Sequence, residues 1–152
     1  MASDMAVIGF TGTRRGITIQ QAASLHLQLS ALARYFQAQG RGARGLHGSC
    51  VGADASFDRA CARLGLGTVC IPGTIDGKSD HRWLAKTAAV ELEPPTPTLQ
   101  RNRRIIELSD VMLACPDGEE RMRSGTWSTI RKARRARKHG MIVMPSGKVL
   151  PL

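Results

Sequence analysis

The sequence predicts an α/β protein with a central parallel sheet of about five strands and helical crossovers. Short apolar runs alternate with longer helical stretches along the chain. Those runs are continuous rather than alternating, as in strands buried on both faces. The conspicuous Gly/Ser/Thr clusters fall just after such runs, beyond the carboxyl ends of strands, where parallel sheets bind their ligands.

Ala6-Val7-Ile8-Gly9-Phe10 reads as the first strand, followed by a glycine-rich loop. Thr18 and Gln21 form a capping box for a helix that runs to about Gln39 and stops at Gly40. Its expected buried side is Ile19, Ala22, Ala23, Leu29, Leu32, Tyr35 and Phe36. Gly45-Leu46-His47-Gly48 is a weak second strand. The next helix has Phe57, Ala60, Cys61 and Leu64 on one face. Thr68–Pro72 is a third strand. From Gly73 to Thr98 the pattern weakens, so 73–98 reads as a lid or insertion, with a short helix around Trp83–Ala89. Thr98–Leu108 is helical, Asp110–Cys115 is a fourth strand, and a very basic helix follows to about His139. Met141–Pro145 is the fifth strand. No internal repeat or boundary divides residues 1–152, so one domain is expected.

Composition narrows the function classes. A chain of 152 residues, 42% hydrophobic but only 4% aromatic, can build an aliphatic core, which excludes a disordered chain. No apolar run reaches the roughly 18 residues of a membrane span. No signal peptide is visible, and the four cysteines form no C-x-x-C pair. Both suit a cytoplasmic protein with reduced thiols. His47, Cys50 and Cys61 lack zinc-site spacing, and neither metal nor cofactor is expected. Of the net charge of +10, most lies between residues 121 and 139, which hold eight bases and no acid. Its densest part, Arg131, Lys132, Arg134, Arg135, Arg137 and Lys138, is either a solvated helix face or a contact for nucleic acid.

Three loops and one helix could carry a ligand. In Gly9-Phe10-Thr11-Gly12-Thr13-Arg14, glycines permit close backbone approach, hydroxyls bond phosphate oxygens, and Arg14 adds a charged contact. The loop is neither a P-loop nor a G-x-G-x-x-G fingerprint, and an ordinary turn explains it equally well. Gly48-Ser49-Cys50-Val51-Gly52-Ala53-Asp54 also opens a helix, and Asp54 is either a helix cap or an acceptor for a ribose hydroxyl. Ser124-Gly125-Thr126 starts the basic helix and makes a second anion cradle. Arg101, Asn102, Arg103 and Arg104 form a compact positive site, with Arg101 and Arg104 on one face. Glu119 and Glu120 are loop carboxylates that either act as a base or face solvent.

Taken in order, these segments resemble the SLOG superfamily: G-x-T-G-x-R after a strand, Gly-x-x-x-Gly-Ala-Asp opening a helix, R-N-R-R before a strand, and S-G-T opening a helix. The superfamily includes the lonely-guy phosphoribohydrolases, the DprA-like proteins and a YspA-related group, and the similarity is closest to the last. It runs from residue 6 to about 145. The resemblance implies a Rossmann-like three-layer sandwich that binds a nucleotide or nucleotide-derived ligand and assembles as a homo-oligomer, a dimer or higher. Two further readings follow from it. One is N-glycosidic cleavage of a nucleoside monophosphate, with Arg101, Asp54 and Glu120 as catalytic candidates. The other is DprA-like nucleic-acid binding through the basic helix. In the lonely-guy motif P-G-G-x-G-T-x-x-E, Gly125-Thr126 match G-T and Arg101 matches an upstream Arg. Met122-Arg123-Ser124 stands in place of P-G-G, and Thr129 takes the Glu position. Threonine cannot supply a carboxylate to stabilise a cationic sugar or activate water.

Overall fold

The computed structural model describes residues 4–75, 78–79 and 87–152. In chain order the elements are β1 Ala6–Gly12, α1 Ile19–Ala38, β2 Ala43–His47, α2 Ala53–Arg63, β3 Thr68–Cys70, β4 Gly73–Ile75, β5 Lys78–Ser79, β6 Val90–Glu91, β7 Thr96–Pro97, α3 Thr98–Leu108, β8 Val111–Cys115, α4 Gly125–Arg135, β9 Gly140–Val143 and β10 Val149–Pro151.

The main sheet runs β10-β9-β8-β1-β2-β3-β6. The five expected strands are β1, β2, β3, β8 and β9, and each is parallel to its neighbours among them. Two short edge strands raise the count to seven: β6 joins β3 in parallel, and β10 folds back antiparallel on β9. Gly147, at φ +90°, allows that last turn, and Pro151 sits on the edge, where no ladder donor is needed. Residues 73–98 hold more order than a loop: β5, β4 and β7 make a separate three-stranded sheet. The expected Trp83–Ala89 helix lies, up to residue 86, outside the described residues.

Period-two alternation explains the layers. On β8, Val111, Leu113 and Cys115 pack with Leu25 and Leu29 of α1 and Phe57 of α2. Met112 and Ala114 face the other way, toward Ile105 and Ile106 of α3 and Trp127 and Ile130 of α4. A fully buried strand therefore reads as an unbroken apolar run while feeding two cores. Among the described residues, no helix is long and apolar enough to cross a membrane.

Helix α1 carries the expected capping box: Thr18 Oγ1 accepts from the Gln21 amide, and Gln21 Oε1 accepts from the Thr18 amide. Its buried face differs from the expected one. Ile19, Ala22, Ala23 and Tyr35 are exposed, and the helix buries Gln21, Leu25, Leu29 and Phe36. The apolar periodicity had hidden a buried glutamine. Gln21 Nε2 donates to the carbonyls of Pro116 (2.9 Å) and Val143 (2.7 Å), clamping the ends of β8 and β9.

A buried polar knot fixes the loop after β2. The Ser49 amide donates to His47 Nδ1 at 2.9 Å, so that nitrogen is bare and the proton sits on Nε2. Nε2 then donates to Asp58 at 2.8 Å. Asp58 also accepts from Thr68 Oγ1 (2.7 Å) and the Ala88 amide (3.0 Å). Burial pulls the Asp58 carboxyl upward, but the hydrogen bonds from Thr68, His47 and Ala88 together hold it below its ordinary value.

Two stability tests follow. A Cβ on Gly140 would lie 1.9 Å from the Met112 carbonyl oxygen of the neighbouring strand, so Gly140→Ala must push β9 off β8. The expected loss is about 1–3 kcal/mol, roughly 3–10 °C of melting temperature by calorimetry. Gly67→Ala, where a Cβ meets nothing within 4 Å, should change it little. The lowered Asp58 carboxyl contributes stability above its unfolded value of 3.8, and that contribution is lost as pH falls through the still lower folded value. The stability gap between wild type and Asp58→Asn should therefore be constant near neutrality and shrink below pH 3.8 in acid titrations of unfolding.

Candidate functional site

In the sheet, the chain leaves β1 first toward β2 and β3, and later returns to place β8 and β9 on its other side. The loops after β1 and β8 therefore diverge and leave a crevice between them. A cleft of about 290 Å³ occupies it. The end of β1 supplies Thr11 and Gly12, the loop after it Thr13 and Arg14, the loop after β2 Gly48, and Asp54 comes from the first turn of α2. Arg101 and Asn102 come from α3, and Ser124, Gly125 and Thr126 from the start of α4. Segments far apart in the chain, singled out separately, thus share one cavity.

Other expected site residues do different work. Gly9 is buried in β1, where a Cβ would stand 1.9 Å from Ser109 Oγ and 2.5 Å from Met112 Sδ. Its missing side chain serves helix–sheet packing. Gly52, at φ +85°, would meet the Arg14 carbonyl oxygen at 2.5 Å, so it lets two loops cross. Ser49 is buried behind the cleft at φ +58°, outside its lining. Glu120 also lies outside the lining: it pairs with Arg131 (3.1 Å) and Arg134 (3.4 Å) on α4, which removes it as a base facing the cavity.

Arg101 is 4% exposed. Its Nη1 donates to the carbonyls of Gly48 (2.9 Å) and Ile71 (3.3 Å), and its Nε donates to Asn102 Oδ1 (2.7 Å). A Cβ on Gly48 would fall 2.2 Å from Nη1, so glycine there makes room for the guanidinium. Asp54 Oδ2 accepts from the amides of Gly48 and Cys50, both at 3.1 Å. It holds the loop before its helix rather than capping the helix itself.

The lining includes residues the motifs did not single out. Thr98 and Ile105 join Arg101 and Asn102 at helical spacing on one face of α3. Asp117 and Arg121 are four residues apart and form a two-pronged pair, at 2.6 and 3.2 Å, with Arg15 3.7 Å from the same carboxylate. The Arg121 hydrogen bond holds the Asp117 carboxyl below its ordinary range. Burial pushes the Cys50 thiol up, reinforced by the Asp54 charge. Arg123 takes φ +61° just before Ser124, whose Oγ accepts from the Trp127 amide and caps α4. Trp127 itself is buried, with its Nε1 donating to the Gly118 carbonyl.

Five arginines and two aspartates line the cleft, which makes it cationic. Helices α2 and α4 both begin at its rim, with amides unpaired within their own helices. At Gly125 a Cβ would meet nothing within 4 Å, so the start of α4 is open. Thr129 is buried, and its hydroxyl donates back to the Gly125 carbonyl inside α4. Among the described residues, no three acidic, His or Cys side chains cluster to hold a metal.

No protein-family model and no curated protein matches the chain. Among solved structures it is similar to DNA processing protein A (DprA) from Streptococcus pneumoniae, with a TM-score of 0.60 and 17% identity over 91% of this chain. It is also similar to TM1055, a structural-genomics target, with a TM-score of 0.51 and 18% identity over 88% of this chain and 71% of that one. The chain spans half the length of DprA. The likeness is one of fold: a mostly parallel, Rossmann-like α/β sheet.

Proposed function

We propose that the cleft binds a nucleotide or nucleotide-derived ligand, as a sensor, a sequestering protein or an enzyme of the YspA-related kind. The observation that carries this reading is a cationic crevice at the point where strand order reverses, with two helix starts on its rim. The ligand's phosphate lies between the Gly12–Arg14 loop and the Gly125–Thr126 turn. Arg101 adds positive potential from behind, and the second oxygen of Asp54 accepts a ribose hydroxyl. The segment 73–98 is a lid or an insertion, and in its described part the Thr98 hydroxyl bonds the Thr74 carbonyl, which ties the small sheet to the wall holding Arg101. The protein works as a homo-oligomer, a reading supported by exposed Ile19 and Leu27 on α1.

N-glycosidic cleavage of a nucleoside monophosphate is a second reading. It draws support from Asp54 in the cleft as the carboxylate to steady a cationic sugar, since both oxygens of Asp117 are held by Arg121. DprA brings a third, association with DNA through the basic last helix.

A melting-temperature screen with nucleoside monophosphates, cyclic nucleotides and ADP-ribose, followed by chromatography of each mixture, separates these readings. A ligand at about 100 times its dissociation constant should add roughly 2.7 kcal/mol, or about 5–10 °C. Arg14→Ala/Thr126→Ala should abolish the shift while leaving the unliganded melting temperature close to wild type. An intact ligand marks a binder, and released base marks the glycosidase. No shift with any of these compounds overturns the nucleotide reading.

A further inference from the structure

The basic stretch of α4 does not form one uniform face. Arg131 and Arg134 point to Glu120 and are paired with it. Lys138 Nζ donates to the Ser109 carbonyl at 2.7 Å. Lys132 and Arg135 face the other way, into a groove of about 400 Å³ between α3 and α4, with Ile106 and Ala136 as its apolar floor. Arg103 of α3 enters the same groove. Its carboxylate, Glu107, is engaged by Arg104 at 3.3 Å. Among the described residues, no carboxylate lies within ion-pair distance of Arg103, Lys132 or Arg135.

These three cations face one another across the groove with no anion between them. Lys132 and Arg135 lie in the last turn of α4, where cations suit the helix's negative end. Arg103 gains nothing from that end, since it belongs to another helix. Burial, together with the facing charges of Arg103 and Arg135, holds the Lys132 ammonium below its ordinary pKa range, so the three cations repel one another. An anion with several charges placed among them would remove that repulsion and form charge-assisted hydrogen bonds.

We propose that the α3–α4 groove is a second anion site, separate from the cleft, which binds a compact oligophosphate through Arg103, Lys132 and Arg135. The occupant is compact because the groove is isolated. The neighbouring cations Arg104, Arg131, Arg134 and Lys138 already have partners, which leaves Arg137 as the one further exposed cation of the stretch and too few for a polymer's run of phosphates.

The test is calorimetric titration of the full chain with tripolyphosphate at low salt. It uses the wild type, a groove variant Arg103→Ala/Arg135→Ala and a cleft variant Arg14→Ala/Arg123→Ala. All four positions are exposed, so both variants should fold, which their melting temperatures check. The groove variant should bind at least about tenfold more weakly, and the cleft variant should retain a wild-type groove affinity. A charge-restoring variant, Arg103→Lys/Arg135→Lys, should recover most of the binding. The proposal is overturned if wild type gives no heat, or if affinity falls only in the cleft variant. It is also overturned if a single-stranded oligothymidylate binds through the groove residues while tripolyphosphate does not.

Discussion

The carboxyl end of the sheet depends on one buried guanidinium. Arg101 reaches from α3 to the carbonyls that end β2 and β3, and it binds Asn102 beside it. Among the described residues, no carboxylate lies within ion-pair distance of it, so carbonyl oxygens, with Cys50 Sγ at 3.8 Å, offset the cost of burying its charge. Two consequences follow. Gly48 must lack a side chain, and the floor of the cleft carries an unneutralised positive charge. Asp54 counters it only from the side, with one oxygen committed to two loop amides. The packing that joins two strands to a helix thus also sets the sign of the cavity.

The same economy appears in the loops. Ser49 and Arg123 are non-glycine residues in the left-handed region, one behind the cleft and one on its lining. Such backbone costs on the order of 1–3 kcal/mol and persists only where surroundings over-determine it. At Ser49 the surroundings are visible: its amide is held by His47, which is held by Asp58, which reaches Thr68 and the returning segment at Ala88. The shape of the loop after β2 is therefore fixed by two carboxylates one turn apart on α2, Asp54 and Asp58.

The sheet was legible because strands buried on both faces need unbroken apolar runs, and the capping box of α1 was legible because it is a local pattern. The loop clusters were legible as neighbours because a parallel sheet aims its carboxyl-end loops at one crevice. What the sequence hid was long-range. The capping role of Gln21 was legible, but not its burial, because its two carbonyl partners lie 95 and 122 residues away. Ile19 and Tyr35 looked buried because apolarity alone does not choose between two faces of a helix. Gly9 looked like a ligand cradle, whereas Ser109 and Met112 decide its identity from the next layer. Glu120 looked free to enter the cleft until α4 placed two arginines beside it. The short edge strands β6 and β10 are too brief to stand out as apolar runs.

The ionisation of the cleft constrains its chemistry. Proton transfer near neutrality needs a group whose affinity for a proton lies near the working pH. Asp117 is displaced the wrong way, downward, so it stays charged and cannot donate. Cys50 is displaced upward, so it stays a thiol and is a poor nucleophile. Thr129 has turned its hydroxyl into its own helix. What remains is fixed charge, amides at two helix starts and an anchored guanidinium. Such a set binds and orients an anion well. Glycosidic chemistry at this site would have to run by stabilising a cationic sugar against the Asp54 carboxylate, with one water giving its hydroxide to the sugar carbon and its proton to the leaving base.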